Sequence, residues 1–198
     1  MSTRFGSPKQ LLKIGDSTLL AMVIDAALKS ELDRVVLVLG HRADEIKASI
    51  GGSLSGSRLK TIINPCYQEG MSTSLQCALK AVRTGFPSIM VLMGDQPLLS
   101  DQVINILLRR FRESEKDICI PVYNGKRGLP VCLTERFYDN ILEIKGDIGA
   151  REIIRDNPKD VMTVEMEGSN AFMDVDNEAD LERINEFMKD TSDNRKAE

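Results

Sequence analysis

Gly94-Asp95-Gln96-Pro97 directly follows the apolar run Ser88–Met93. Such a run suits a strand buried on both faces. In open α/β sheets, ligands bind just beyond the carboxyl ends of the strands. Asp95 is therefore a carboxylate delivered to the binding edge, with Gly94 and Pro97 shaping a tight turn. One Asp there suits Mg²⁺, which takes one or two carboxylates together with phosphate oxygens and water. A plain turn or helix-capping Asp is the competing reading. A second acidic group is Asp174-Val175-Asp176-Asn177. If extended, it puts both carboxylates on one face, and beside Asp95 they would form a divalent-metal site. Asp176 or Asn177 also suits the start of the last helix, with Glu178 and Asp180 in its first turn. Capping does not exclude metal binding.

The opening residues, Met1 to Gln10, combine Ser2, Thr3, Gly6 and Ser7 with Arg4 and Lys9. Backbone N–H groups of a small-residue turn leading into a helix cradle phosphates. Arg4 offers a planar fork and Lys9 a point charge. The Walker A pattern is absent, and on composition alone this is equally an ordinary surface segment. Gly146-Asp147-Ile148-Gly149-Ala150-Arg151 opens a helix whose N–H groups, with Arg151, suit an anion; a plain Gly-rich turn is the alternative. Gly70-Met71-Ser72-Thr73-Ser74 leads into another helix, where Ser72 or Thr73 would also serve as N-cap. His41 is the single histidine, and no Ser/His/Asp or Cys/His set is readable. The chemistry should therefore not depend on a histidine base.

The elements that must carry these residues alternate. Helices are expected over 18–30, 43–50, 73–82, 101–112, 135–142, 150–156 and 177–189. Strands are expected over 34–39, 59–63, 88–93, 117–122, 129–133 and 161–165, with a further short one over 171–174. Residues 51–57 read as a Gly/Ser loop. Alternation with apolar strands predicts an α/β fold, a mostly parallel sheet with helices on both faces. The domain is expected to span residues 1–189, with 190–198 a polar, frayed tail. A net charge of −4 disfavours nucleic acid as a partner. No apolar run reaches membrane-spanning length, and no signal peptide is visible. Cys66, Cys77, Cys119 and Cys132 lack C-x-x-C spacing and read as reduced thiols of a cytoplasmic protein.

Taken in order, the pattern is Ser2-x-Arg4-x-Gly6-x-Pro8-Lys9-Gln10, Gly70-Met71-Ser72-x-Ser74, Gly94-Asp95-Gln96-Pro97, Arg127-Gly128-x-Pro130, Gly146-Asp147-x-Gly149-Ala150-Arg151 and Asp174-x-Asp176. It resembles the molybdenum cofactor nucleotidyltransferases, and most closely their cytidylyltransferase branch, over nearly the whole chain. The resemblance implies a Rossmann-like nucleotidyltransferase fold and Mg²⁺-dependent transfer of a cytidylyl group from CTP to the terminal phosphate of molybdopterin, releasing pyrophosphate. Carried over, it implies that Arg4 and Lys9 hold the triphosphate, with Ser2, Thr3 and Gly6 in the same loop. Asp95 and Asp176 become metal ligands, and Lys9, Arg4 and Asp95 the catalytic set. Gly70, Ser72, Ser74 and Gly94 fall to the nucleotide; Arg127, Gly128, Pro130, Gly146, Asp147, Gly149 and Arg151 to the acceptor. A recipient molybdoenzyme or its chaperone is a further implied partner.

Two features depart from the family pattern. The family loop begins with a strand and Leu-Ala-Ala-Gly, which would lie upstream of Met1. The expectation is that Met1 is internal to a longer protein, with about ten further residues supplying that strand and turn. Relatives also often carry His where this chain has Leu129. The alternatives are a guanylyltransferase, a sugar-phosphate nucleotidyltransferase on the same fold, or a nucleotide-binding protein without turnover.

Overall fold

The computed structural model describes residues 8–50, 58–167 and 170–194. A short hairpin, β1 (Lys13–Ile14) and β2 (Ser17–Thr18), leads into helix α1 (Leu19–Lys29). Thr18 holds extended backbone, and its hydroxyl accepts the Ala21 N–H at 3.2 Å. This satisfies one of the donors that a helix start leaves open. Leu19, Leu20, Val23, Ile24 and Ala27 recur at helical spacing, and all are buried. Ser30 ends the helix, its hydroxyl donating to the Ala27 carbonyl at 2.7 Å.

Strand β3 (Val35–Leu39), helix α2 (Ala43–Ile50) and strand β4 (Leu59–Ile63) follow, with β3 and β4 paired in parallel. Next come helix α3 (Met71–Lys80), strand β5 (Ser88–Val91), helix α4 (Asp101–Glu113), strands β6 (Ile118–Tyr123), β7 (Lys126–Arg127) and β8 (Val131–Thr134). Helices α5 (Tyr138–Glu143) and α6 (Arg151–Asp156), strand β9 (Val161–Glu165) and helix α7 (Glu178–Asn194) complete the chain.

The sheets are mixed, where the sequence pattern predicts a mostly parallel one. β5–β8, β8–β6 and β6–β7 are antiparallel, whereas β3–β4 and β6–β9 are parallel. The reason is the short return from β6 to β8 through β7. A parallel crossover needs about a dozen residues or more, and residues 124–130 are too few. Three other expectations shift. Residues 171–174 form no strand: a 3₁₀ turn covers Asn170–Phe172, and residues 173–176 belong to no helix or strand. The last helix continues past Lys189 to Asn194, with neither Gly nor Pro in that stretch to stop it. Helix α3 starts at Met71, with Gly70 and not Ser72 or Thr73 as its N-cap.

Helices do cover both faces. Ile118 and Ile120 of β6, with Val131 and Leu133 of β8, pack against α3, α5 and α6 through Leu75, Leu79, Ile141 and Ile153. The intervening residues Cys119 and Cys132 face Leu107 and Phe111 of α4 on the other side. This alternation explains the continuous apolar runs, because both faces are buried. Cys119 and Cys132 sit opposite each other in register as free thiols. Among the described residues, β3 and β5 each pair along one edge. Both line a cavity of about 1680 Å³, together with Leu20 and Ile24 of α1 and Leu75 and Ala78 of α3. No helix among the described residues is long and apolar enough to cross a membrane.

Candidate active site

The carboxyl ends of β3 and β5 both reach this cavity, through Leu39 and Gly40 and through Met93 and Gly94. Lys9 lies in a 3₁₀ turn, Lys9–Leu11, ahead of β1. Its side chain is 11% exposed and its ammonium donates to Asp95 Oδ2 at 2.9 Å and to Asp176 Oδ1 at 2.8 Å. These three residues are separated by most of the chain, so only the fold joins them. Burial disfavours the Lys9 charge, but the hydrogen bonds it donates to Asp176 and Asp95 outweigh that and raise its pKa above the ordinary lysine value.

Asp95 follows β5 as predicted, and its backbone carbonyl accepts the Val175 N–H at 3.1 Å. That bond seats 174–176 alongside the Asp95 turn. Asp174 accepts from Gln96 Nε2 at 2.8 Å, and burial pushes its carboxyl up despite that bond. The capping reading of this segment holds as well. Asn177 Oδ1 accepts the Asp180 N–H at 3.0 Å, and the Asp180 carboxylate accepts the N–H groups of Asp176 and Asn177. Asn177 and Asp180 do the capping, which leaves the Asp176 carboxylate, 71% exposed, directed to Lys9.

A divalent cation fits this arrangement. Asp95 Oδ1 is buried and has no hydrogen-bond partner among the described residues. An unpartnered buried carboxylate oxygen costs about 1–3 kcal/mol or more, a cost a bound cation would remove. Among the described residues no three acidic, His or Cys side chains gather as a ready-made cage. Two carboxylates completed by phosphate oxygens and water is the pattern of Mg²⁺ at nucleotides.

The two glycine motifs, read separately in the sequence, form one unit. Gly70 has φ +112°, and a Cβ on it would lie 2.4 Å from the Gly146 carbonyl carbon. The Ser72 N–H donates to the Gly146 carbonyl at 3.1 Å, and the Met71 N–H to Asp147 Oδ1 at 3.2 Å. The first turn of α3 is thus satisfied by the Gly146–Asp147 loop instead of by its own side chains. Ser74, Gly94, Arg127, Gly128, Asp147, Gly149 and Arg151 line the same cavity as Lys9, whereas Gly70, Ser72, Pro130 and Gly146 do not. Pro130 follows Leu129 through a cis peptide bond. Ser2, Thr3, Arg4 and Gly6 lie outside the described residues. His41, just past the end of β3, packs its ring 5.9 Å from Tyr67 and lines the same cavity.

Sequence reasoning missed Asn64. It is 3% exposed and donates to Thr73 Oγ1 at 2.9 Å and Ser74 Oγ at 3.0 Å. Its Oδ1 accepts the Cys66 N–H at 2.9 Å. Asn64 therefore ties the end of β4 to the first turn of α3. The signal was present in Ile62-Ile63-Asn64-Pro65: an amide-bearing residue at the carboxyl end of a strand. Gln96 was read as part of a turn, yet it is 3% exposed and bridges to Asp174.

The α/β fold and a basic–acidic cluster at its carboxyl edge define a nucleotidyltransferase. Residues 1–161 match the model of the MobA-like NTP transferase domain, and the chain belongs to that family. It is 26% identical over 184 residues to the molybdenum cofactor cytidylyltransferase of Escherichia coli, covering 91% of this chain and 88% of that protein. It is 24% identical over 193 residues to a probable molybdenum cofactor guanylyltransferase of Thermococcus sibiricus, covering 92% of each. The bifunctional protein GlmU of Sorangium cellulosum is 31% identical over 102 residues, half of this chain, and the chain spans only 21% of that protein. Among solved structures, Rv0371c of Mycobacterium tuberculosis superposes with a TM-score of 0.81 at 25% identity, over 94% of this chain and 92% of that one. A complex of Rv0371c with manganese superposes at 0.77 and 24% identity, over 91% of this chain and 93% of that one.

Proposed function

We propose that this nucleotidyltransferase transfers a cytidylyl group from CTP to the terminal phosphate of molybdopterin, with Mg²⁺ as the metal. The observation that carries the reading is the Lys9–Asp95–Asp176 cluster, whose lysine lines the cavity that Ser74, Arg127 and Arg151 share. The likeness to the E. coli cytidylyltransferase, along nearly the full length of both chains, supports this donor and acceptor. In the reaction, an oxygen of the acceptor phosphate forms a bond to the α-phosphorus of the triphosphate. The bond from that phosphorus to the bridging oxygen breaks, and pyrophosphate leaves with the electron pair. A phosphomonoester has its second pKa near 6, so at pH 7 the nucleophile is mostly ionised. No general base is needed, in keeping with a chain that has one histidine.

The difficulty is bringing anions together. Lys9, with Arg4, would neutralise the triphosphate and hold it in line. Asp95 and Asp176 would hold the Mg²⁺, whose chemistry is to polarise the phosphoryl oxygens and offset the developing charge. Ser74 and the α3 amino end would face the base or ribose. Arg127 and Arg151, both on the cavity, would face the acceptor phosphate.

A guanylyl donor is the second reading, favoured by the comparable likeness to the T. sibiricus protein. Pyrophosphate release measured with CTP, GTP, UTP and ATP in turn, with Mg²⁺ and molybdopterin, tests both. CTP-dependent release that requires the acceptor is the expected result. A clear GTP preference replaces the cytidylyl reading with the guanylyl one, and release that depends on a sugar phosphate replaces the acceptor.

A further inference from the structure

We propose that Lys9 is a resident counter-cation at the metal position, so that the divalent ion enters together with a polyphosphate and not before it. This inference rests on the metal-dependent reading above and adds an order of binding that the reading does not require. The Lys9 ammonium lies 2.9 Å from Asp95 Oδ2 and 2.8 Å from Asp176 Oδ1. At those distances it occupies Asp95 Oδ2 and Asp176 Oδ1, the two oxygens through which a metal ion bridging the carboxylates would bind. A second, divalent cation on the same pair would meet a positive charge at contact range in a partly desolvated site, where repulsion is strong. The lysine side chain is 11% exposed and Asp95 23%, so the repulsion is weakly screened on the Asp95 side, while Asp176 stands open to solvent. While Lys9 bridges Asp95 Oδ2 and Asp176 Oδ1, those two oxygens are closed to a second cation.

The polyphosphate resolves the competition. A lysine carries its charge on a flexible four-carbon stem and can leave the carboxylates for phosphate oxygens with which it also forms charge-assisted hydrogen bonds. The position it vacates then faces two carboxylates and the same phosphate, the donor set that suits a hard divalent ion. Asp95 Oδ1, buried and without a hydrogen-bond partner among the described residues, is the lone pair that Lys9 fails to satisfy. Linkage makes the effect reciprocal: polyphosphate raises metal affinity, and metal raises polyphosphate affinity by the same factor. The device would keep the free protein from holding metal without substrate.

The test uses the full chain and Mn²⁺, followed by electron paramagnetic resonance without nucleotide. Lys9→Met keeps the stem and removes the charge. We expect it to bind Mn²⁺ at least about tenfold more tightly than the unaltered protein, within the span usual for coupled sites, and Asp95→Asn added to it should abolish the gain. Equal or weaker binding by Lys9→Met, with binding still sensitive to Asp95→Asn, overturns the counter-cation role and leaves the metal site standing. Mn²⁺ binding indifferent to Asp95→Asn overturns both. The unaltered protein supplies an independent readout should Lys9→Met fold poorly. Its Lys9 ammonium, followed by ¹⁵N nuclear magnetic resonance, should be unmoved by Mg²⁺ alone and should shift with Mg²⁺ plus tripolyphosphate. A shift with Mg²⁺ alone refutes the order of binding.

Discussion

Gly70→Ala tests whether the two glycine loops act as one unit. Gly70 sits at φ +112° and ψ 173°, a region essentially closed to residues with a Cβ, at a cost of about 1–3 kcal/mol. The added methyl would also lie 2.4 Å from the Gly146 carbonyl carbon, 2.5 Å from its oxygen and 2.9 Å from the Asp147 nitrogen. All three are backbone atoms, so no side chain can swing aside. Overpacking of this kind costs about 1–3 kcal/mol more. Together the loss is about 2–6 kcal/mol, or roughly 5–20 °C in Tm for a domain of this size. Urea unfolding and thermal melting measure it. Gly85→Ala is the control, because its φ lies outside the strained range and a Cβ there meets nothing within 4 Å. Relief of the clash requires the Gly146 loop to move, which would break the Ser72-to-Gly146 and Met71-to-Asp147 hydrogen bonds. The variant should therefore lose nucleotide affinity as well as stability. A Gly70→Ala protein melting within about 2 °C of the unaltered one would refute the coupling of the two loops.

Asp95→Asn keeps the size and removes the charge; turnover should fall at least about a hundredfold with the fold retained by circular dichroism, and near-normal turnover with an unchanged metal requirement would remove Asp95 from the site. Asn64→Ala should cost about 2–3 kcal/mol in urea unfolding, since it strips a buried amide from Thr73, Ser74 and the Cys66 N–H; a loss under about 0.5 kcal/mol contradicts the anchoring role. Burial pushes the Tyr138 phenol up to about 12, against about 10 in an unfolded chain. The folded state thus favours the protonated form, whose hydroxyl donates to the Phe86 carbonyl at 2.9 Å. Its contribution, about 2–3 kcal/mol, is complete below pH 10 and lost as pH rises toward 12. Stability of the unaltered protein should fall relative to Tyr138→Phe across that window, and parallel pH profiles would contradict the buried, donated hydroxyl.

Much of the site was legible because chemistry and local spacing coincide. Asp95 could be read from the sequence, since a carboxylate directly after a strand as apolar as Ser88–Met93 has one place to go in an α/β sheet. The helices over 43–50 and 101–112 and the strands over 59–63 and 161–165 were readable because their apolar periodicity is strong. The resemblance to nucleotidyltransferases also lay in the sequence, since its motifs are short, ordered and made of Gly, Pro and charged residues that loops require.

Other features depend on contacts between residues distant in the chain. Nothing local says that Lys9 will lie between Asp95 and Asp176, since that position depends on the Asp95–Val175 backbone bond and on the course of the chain before α7. Nor does any local signal join Gly70 to Gly146; each glycine alone reads as a turn, and only their close approach explains why Gly70 has no room for a side chain. The antiparallel return of β8 was hidden because burial on both faces gives the same apolar run in either direction. Strand direction is decided by connection length and partner choice, and the partners are settled only when the core closes. By itself the sequence determined the kinds of chemistry available and the edge at which it would be presented. The tertiary structure decided which charges meet, because ion pairs and loop-to-loop hydrogen bonds are set by distances in space and not by separation along the chain.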